Sequence, residues 1–293
     1  MNNFSISQLA QFSGVKAHTI RIWEQRYNAL TPYRSEGNTR YYDDQQLRRL
    51  LNIVTLSTAG YRISDLCVMK DEHLFKLMRS ESDKQTSEAY DYYITQLVSA
   101  ALSFDEVSFE KVFSHCLLRF TITGTYKQII YPVLQRIGIL WSANTIPPAK
   151  EHFISNLFRQ KIFTAIDALS ASSNTKQTWV CFLPEDEFHE IGLLFASYLI
   201  RSAGHKVIYL GSNVPQRSLA DAVKETRATH LITFFVNNYT KQQQQEYLGS
   251  LKYTFPQKKI FIAANQSVVA DLKVPGNIQI ISSIEELEQN MDV

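Results

Sequence analysis

The sequence predicts a multidomain chain with a small basic winged helix-turn-helix head, a four-helix bundle, and an α/β domain with a doubly wound, five-stranded parallel sheet. Three observations predict it. Short amphipathic helices broken at Gly14, Pro32 and Gly37 fill the first 70 residues. Apolar residues then recur at helical spacing, with few strand signals, to about residue 170. Past residue 175 short apolar runs alternate with helical stretches, the pattern of strands buried on both faces. At 293 residues the chain suits two or three domains. The predicted borders give residues 1–70, 71–172 and 176–293.

In the head, Ser5 or Ser7 can cap a helix that carries Ile6, Leu9 and Ala10 on one face and ends at Gly14. A second helix follows from about Ala17 to Arg26, with Ile20 and Trp23 inward and Trp23 assigned to the core. His18, Thr19, Arg21, Ile22 and Gln25 face outward. Thr31-Pro32 ends this stretch, and Ser35-Glu36-Gly37-Asn38 turns between short strands at Tyr33-Arg34 and Thr39-Arg40-Tyr41, which makes a wing. Asp43 caps a third helix containing Leu47, Leu50, Leu51, Val54 and Leu56, stopped by Gly60. The bundle helices are read as Ser87 to Leu102, Phe104 to Thr121, Thr125 to Ala143 and Pro148 to Ala171.

Ala171-Ser172-Ser173-Asn174-Thr175 reads as a polar linker. Five strands follow, at 179–183, 206–210, 231–236, 259–263 and 278–281. Helices lie near 189–203, 216–228, 240–252, 266–272 and 284–290. Such β/α units build a flavodoxin-like sheet that binds ligands at the carboxyl ends of its strands.

A hydrophobic fraction of 45% with 20% charged residues excludes a disordered or fibrous chain. No apolar run reaches the length of a membrane span, and the first residues lack the pattern of a secretory signal, so the expected location is the cytoplasm. Cys67, Cys116 and Cys181 lie far apart, which argues against a disulfide framework, a zinc site and a thiol metal sensor. The net charge of +2 is unevenly divided: residues 1–70 hold nine Lys/Arg against five acids, 9 − 5 = +4, so the remainder is −2. A basic head on a mildly acidic body suggests a module that meets a polyanion joined to one that does something else.

Helix, tight turn, helix and wing is the geometry that lays one helix in the DNA major groove with a hairpin over the adjacent backbone. Lys16, His18, Thr19 and Arg21 can then reach bases and phosphates, while Arg34, Arg40 and Tyr41 hold phosphates. Any one of these residues alone would read as solvated surface; the ordered set does not. In the third domain Glu187-Phe188-His189-Glu190-Ile191-Gly192 follows the first strand. His189 would project from the carboxyl edge of the sheet, Glu187 would hold its second nitrogen for metal ligation, and Gly192 would let a flat ligand approach the helix. Trp141 ends one bundle helix and Glu151-His152 opens the next, so they could converge at one mouth of the bundle.

The residues Phe4-Ser5-Ile6, Leu9-Ala10, Gly14-Val15, Thr19-Ile20-Arg21, Trp23-Glu24, Arg26-Tyr27, Pro32, Arg34 and Arg40-Tyr41-Tyr42 resemble the DNA-binding domain of MerR-family transcription regulators. Asn28-Ala29-Leu30 replaces the family's usual Gly-Leu. A bundle followed by an α/β domain with E-x-H-x-x-G resembles the cobalamin-binding module of methionine synthase and corrinoid proteins. With Trp141 spaced nine residues before Glu151-His152, the whole chain resembles the adenosylcobalamin-dependent light-sensing repressors of carotenoid genes.

That resemblance implies a regulator rather than an enzyme, with adenosylcobalamin as cofactor, a double-stranded DNA operator and a homo-oligomer, dimer or tetramer, as partners. It implies that His189 binds the lower face of cobalt and that Trp141, Glu151 and His152 enclose the upper 5′-deoxyadenosyl group. Light would cleave the cobalt to carbon bond and dismantle the DNA-binding oligomer. The family's S-x-L stands here as Thr233-Phe234-Phe235 and its G-G as Ala263-Ala264, which line the slot for the cofactor's nucleotide tail. These larger residues would narrow that slot. Ser142 stands where the light-sensing forms can supply a second His. Two other readings stay open: a regulator that keeps the fold without the cofactor, and a corrinoid methyl carrier with a helix-turn-helix head.

Overall fold

A computed structural model describes residues 4–35, 37–82, 87–169, 177–235, 240–264 and 272–291. The expectations for Glu36, the 171–175 linker, Val236 and the greater part of the helix near 266–272 fall outside the described residues. The chain divides into two compact units, residues 1–156 and 157–293.

In the first unit, Ser5 caps α1 (Ile6–Ser13) through a reciprocal pair with Gln8, and Gly14 closes the helix at φ 73°. A residue with a Cβ is strained in that left-handed turn, which glycine adopts freely. Helix α2 (Ala17–Tyr27) ends on Asn28, also left-handed. Its inward residues are Ile20 and Glu24, one turn apart. Trp23 therefore sits at the edge of that arc, half-buried rather than in the core. The wing is an antiparallel pair, β1 (Tyr33–Arg34) with β2 (Arg40–Tyr41), in which Tyr33 faces Tyr41 and Arg34 faces Arg40. Asp43 caps α3 (Asp44–Thr58) by accepting from the Gln46 amide at 2.9 Å. Two short helices, α4 (Ile63–Val68) and α5 (Asp71–Ser82), lead to the bundle.

The bundle comprises α6 (Ser87–Ser103), α7 (Glu106–Thr125), α8 (Tyr131–Ser142) and α9 (Pro148–Asp167). Phe104, the expected start of the second helix, is instead a left-handed residue outside it. Asp105 is the cap, accepting from the Ser108 amide at 2.9 Å. The expected break after Thr121 is a one-residue kink (φ 59°, ψ 171°), and a π turn at Tyr126–Ile130 carries the chain directly into α8. Leu97, Phe109, Phe113, Cys116, Ile129, Val133 and Ile137 are fully buried or nearly so. Polar contacts bind the head to the bundle within this unit: Arg48 to Asp105 at 3.0 Å, Gln96 to Asn52 at 2.6 Å, and Arg136 to the Phe12 carbonyl at 3.1 Å.

In the second unit, five parallel strands run in the order β4-β3-β5-β6-β7. They are β3 (Thr178–Phe182), β4 (Lys206–Gly211), β5 (His230–Phe235), β6 (Lys259–Ala264) and β7 (Ile278–Ile281). The helices are α10 (Ile191–Ser202), α11 (Gln216–Thr226), α12 (Lys241–Thr254) and α13 (Ile284–Met291). In chain order this is 2-1-3-4-5, the flavodoxin-like arrangement, whose reversal point lies at the carboxyl end of β3. Val180, Phe182, Leu231, Phe235, Ile260 and Ile262 pack with Leu219, Leu248 and Leu251 on one face. On the other face Trp179 stacks on His230, with ring centroids 4.6 Å apart, and on Phe261 at 5.1 Å.

Burial lowers the His230 imidazole to about 4 from its ordinary 6.5, with help from the Lys259 and His205 charges. The unfolded chain protonates first, so this contribution to stability is complete above about pH 6.5 and is lost as pH falls toward 4. Denaturant titrations should show about 2 kcal/mol less stability at pH 5 than at pH 7 from this group, and His230→Gln should remove that part of the pH dependence.

Candidate nucleic-acid interface and ligand site

The sequence-predicted contacts of the head are all at least partly accessible. Lys16, His18, Arg21 and Arg34 are exposed; Thr19, Arg40 and Tyr41 are partly so. Gly14 and Val15 make the turn that sets α2 after α1, and the wing holds Arg34 and Arg40 opposite one another. Asn38 accepts a hydrogen bond from Arg34. Tyr33 stacks on Tyr41, centroids 5.4 Å apart, and is 49% exposed, which adds an aromatic surface that the choice of Tyr41 alone missed. Its hydrogen bond to Asp43 raises the phenol above its ordinary value. Alternation in the short wing, with aromatics at both ends of one cross-strand pair, is the signal that finds it.

In the second unit, His189 lies in the loop after β3, two residues before α10, rather than in the helix itself. Glu187 is 3% exposed, and its Oε1 takes the His189 Nδ1 at 2.6 Å together with the backbone amides of Phe188 and His189 at 2.9 and 3.0 Å. Burial raises this carboxyl, and the hydrogen bonds from His189 and Phe188 outweigh it, so the group stays below the usual carboxylate range. An ionised Glu187 makes Nδ1 the protonated nitrogen and leaves Nε2 as the one suited to a metal. The loop is tied to the β4 exit, where the Asn213 amide donates to the Glu187 carbonyl at 3.1 Å and the Asp186 amide to Asn213 Oδ1 at 3.0 Å.

Beside His189 stands a polar group that sequence reasoning missed. Glu190 pairs with Arg159 at 2.9 Å and accepts from the Tyr209 hydroxyl at 3.4 Å. Burial first, then the Glu190 charge, raises the Tyr209 phenol. No local spacing links residues 159, 190 and 209; only the fold does.

Gly192 plays another part than the one expected. A Cβ at this position would meet the Phe234 ring at 2.7 Å, so the space over the glycine is filled by a side chain from β5. Thr233 is fully buried, and its hydroxyl lacks a hydrogen-bond partner among the described residues; Phe235 is in the core, Ala264 is buried and Ala263 partly so. Alternation along β5 sends Phe234 to the α10 face and Thr233 and Phe235 to the opposite one.

In the first unit, Trp141 lies in the last turn of α8 and is 45% exposed. Glu151 and His152 lie in the first turn of α9, with Glu151 Oε2 2.8 Å from His152 Nδ1. Residues 143–147 connect the two helices, with Asn144 left-handed and Ile146 buried, so Trp141 and the Glu151-His152 pair occupy the same end of the bundle. The remaining candidate nucleophiles are poor ones: Cys67, Cys116 and Cys181 are buried and unbonded, and burial raises each thiol.

These features define a class: a helix-turn-helix head on a bundle, joined to a flavodoxin-like domain with a carboxylate-held histidine at the carboxyl edge of its sheet. Residues 4–69 match the MerR HTH family of regulatory proteins, and residues 93–165 match the B12 binding domain. The chain thus carries a MerR-type helix-turn-helix and, further on, a stretch that matches a B12-binding domain. It is 25% identical over 257 residues to the HTH-type transcriptional repressor CarH of Myxococcus xanthus, covering 86% of this chain and 85% of that one. It is 26% identical over 235 residues to the repressor CarA of the same organism, covering 79% and 76%. Among solved structures, the Methanosarcina barkeri monomethylamine corrinoid protein shares the fold with a TM-score of 0.54 at 10% identity, over 66% of this chain and 94% of that one.

The contact between Gly192 and Phe234 gives a stability test. Gly192→Ala should cost about 1 kcal/mol or more in denaturant unfolding, because the ring must shift. In a Phe234→Ala background the same change should cost almost nothing, a non-additivity that reports the shared space.

Proposed function

We propose that this protein is a cytoplasmic, sequence-specific DNA-binding transcriptional regulator that senses a cobalamin, with adenosylcobalamin the favoured form. The observation that carries the reading is the pairing of a basic helix-turn-helix head with His189 held by buried Glu187 at the binding edge of a flavodoxin-like sheet. The likeness to CarH and CarA, both transcriptional repressors by name, supports it. Residues 1–70 supply DNA binding, residues 71–172 the helical part of the sensor and residues 176–293 the α/β part.

The donor set fits a metal that brings its own macrocycle. Among the described residues no group of three or more His, Cys, Asp or Glu side chains is placed to hold a metal ion. A lone imidazole would then be one ligand to a metal whose remaining ligands arrive with it. His189 would be the residue that holds the metal, with Glu187 fixing its tautomer, and Trp141, Glu151 and His152 would hold the cofactor's adenosyl group. When bound, the cofactor supplies a cobalt to carbon bond that light can break. Any group seated against Gly192 must first displace the Phe234 ring, and this observation favours the second reading, in which the fold is kept and the cofactor is not.

Paired heads on a homo-oligomer, dimer or tetramer, suit a near-palindromic operator. No catalytic step is assigned to any residue. Among the described residues no helix is long and apolar enough to cross a membrane.

Incubation with adenosylcobalamin in the dark, followed by gel filtration, should leave corrin absorbance with the protein, and His189→Ala should change that spectrum or lose it. Illumination should alter both spectrum and elution volume. Protein that emerges without corrin absorbance establishes the cofactor-free reading. Independently, Arg21→Ala and Arg34→Ala should each make the salt dependence of DNA affinity shallower by about 1 in log-log slope. Unchanged affinity and slope would refute the contact assignment.

A further inference from the structure

The basic face of the head contains an acid that phosphate contacts alone do not explain. Glu24 follows Arg21 by three residues on α2 and is 8% exposed. Its Oε1 accepts from the Tyr42 hydroxyl at 2.5 Å, and its Oε2 lies 3.8 Å from the Arg40 Nε. Tyr42 is fully buried, and its backbone exchanges hydrogen bonds with Phe4 at 2.8 and 2.9 Å. One carboxylate thus joins the second helix of the helix-turn-helix to the wing.

A negative charge at this place opposes association with a polyanion. Packing does not require it either, since an apolar side chain would serve one turn after Ile20, and replacing a buried ion pair by apolar residues is often neutral or stabilising. What the carboxylate does uniquely is face the guanidinium of Arg40. The Arg40 Nε is buried and makes no hydrogen bond among the described residues, while 36% of the side chain remains accessible. The inner end of the guanidinium is therefore turned to Glu24, and the outer end is left for another anion.

We propose that Glu24 is a positioning residue for DNA binding, whose charge draws the inner edge of the Arg40 guanidinium so that the outer nitrogens meet a backbone phosphate in a set orientation. The inference rests on the reading of the head as a DNA-binding module. Burial, followed by the Glu24 hydrogen bond, raises the Tyr42 phenol, so Tyr42 remains a donor to the carboxylate throughout the physiological range.

The test uses the full chain and a fluorescent mixed-sequence duplex of about 30 base pairs, titrated between about 50 and 200 mM salt. Glu24→Gln keeps the shape and an acceptor for Tyr42 while removing the charge. If the carboxylate acted on DNA only through its field, this variant would bind more tightly. Positioning predicts the reverse: affinity lower by about five- to tenfold and a slope shallower by about 1. It also predicts that adding Glu24→Gln to Arg40→Ala causes no further loss, as for two residues acting through one contact. Arg40→Lys keeps the charge without the inner nitrogen and should give the same shallower slope, a readout available even if Glu24→Gln folds poorly. Tighter or unchanged binding by Glu24→Gln, additive losses, or an Arg40→Lys protein equal to wild type would each overturn the proposal. Wild-type protein that fails to bind the duplex would instead overturn the DNA-binding reading beneath it.

Discussion

The carboxylate of Glu187 is the constraint on which the ligand side of this protein depends. An ionised group withdrawn from water costs several kcal/mol unless donors surround it, and here the ring of His189 and the amides of residues 188 and 189 converge on one oxygen. The chain can satisfy that oxygen only by wrapping the loop closely around it. The wrap determines which imidazole nitrogen carries the proton and presents the ring beside the switch point of the sheet. Asp186 and Asn213, both left-handed, complete the brace between the β3 and β4 exits. A histidine held this way has its orientation and tautomer set by the loop itself, as the proposed ligand role requires.

The head repeats the device with a different purpose. Its +4 charge draws it to DNA from a distance, but attraction of that kind carries no orientation. Orientation comes from how the cations are held: Arg34 by Asn38, and Arg40 beside Glu24. In both units a buried acid lies beneath the residues to which a function is proposed.

The head is not a loose appendage. Within the first unit α3 packs on α6, and Lys150, next to Glu151, donates to the Leu102 carbonyl and lies over the rings of Phe4 and Phe104 at 5.5 and 4.9 Å. Phe4 in turn bridges to Tyr42 beside the wing. The first turn of α9, which bears the candidate upper-face residues, therefore shares direct contacts with the beginning of the head. Burial of Lys150 lowers its ammonium below the ordinary value, against the opposing charge of Asp44.

Much of this was legible in the residues because the signals are local. Ser5, Gly14 and Asp43 mark helix ends through hydrogen bonds and backbone angles within a few positions. The apolar runs of β3 to β7 declare themselves because parallel strands are buried on both faces. The pair Glu187 and His189 could be read for the same reason: two residues apart, they meet without help from the rest of the chain. Other features are decided at a distance. Trp23 yields the inward face of α2 to Glu24 because Tyr42, eighteen positions away, supplies a buried donor. Gly192 serves Phe234 rather than an open cleft, since only the packing of α10 on β5 brings the ring there. The Arg159, Glu190 and Tyr209 cluster has no spacing to betray it. Sequence by itself determined most of the elements, their order and the pairing of Glu187 with His189, because each depends on neighbours along the chain. Tertiary structure alone decided which side chain fills each remaining space, because close packing is settled between residues that meet only after the chain has folded.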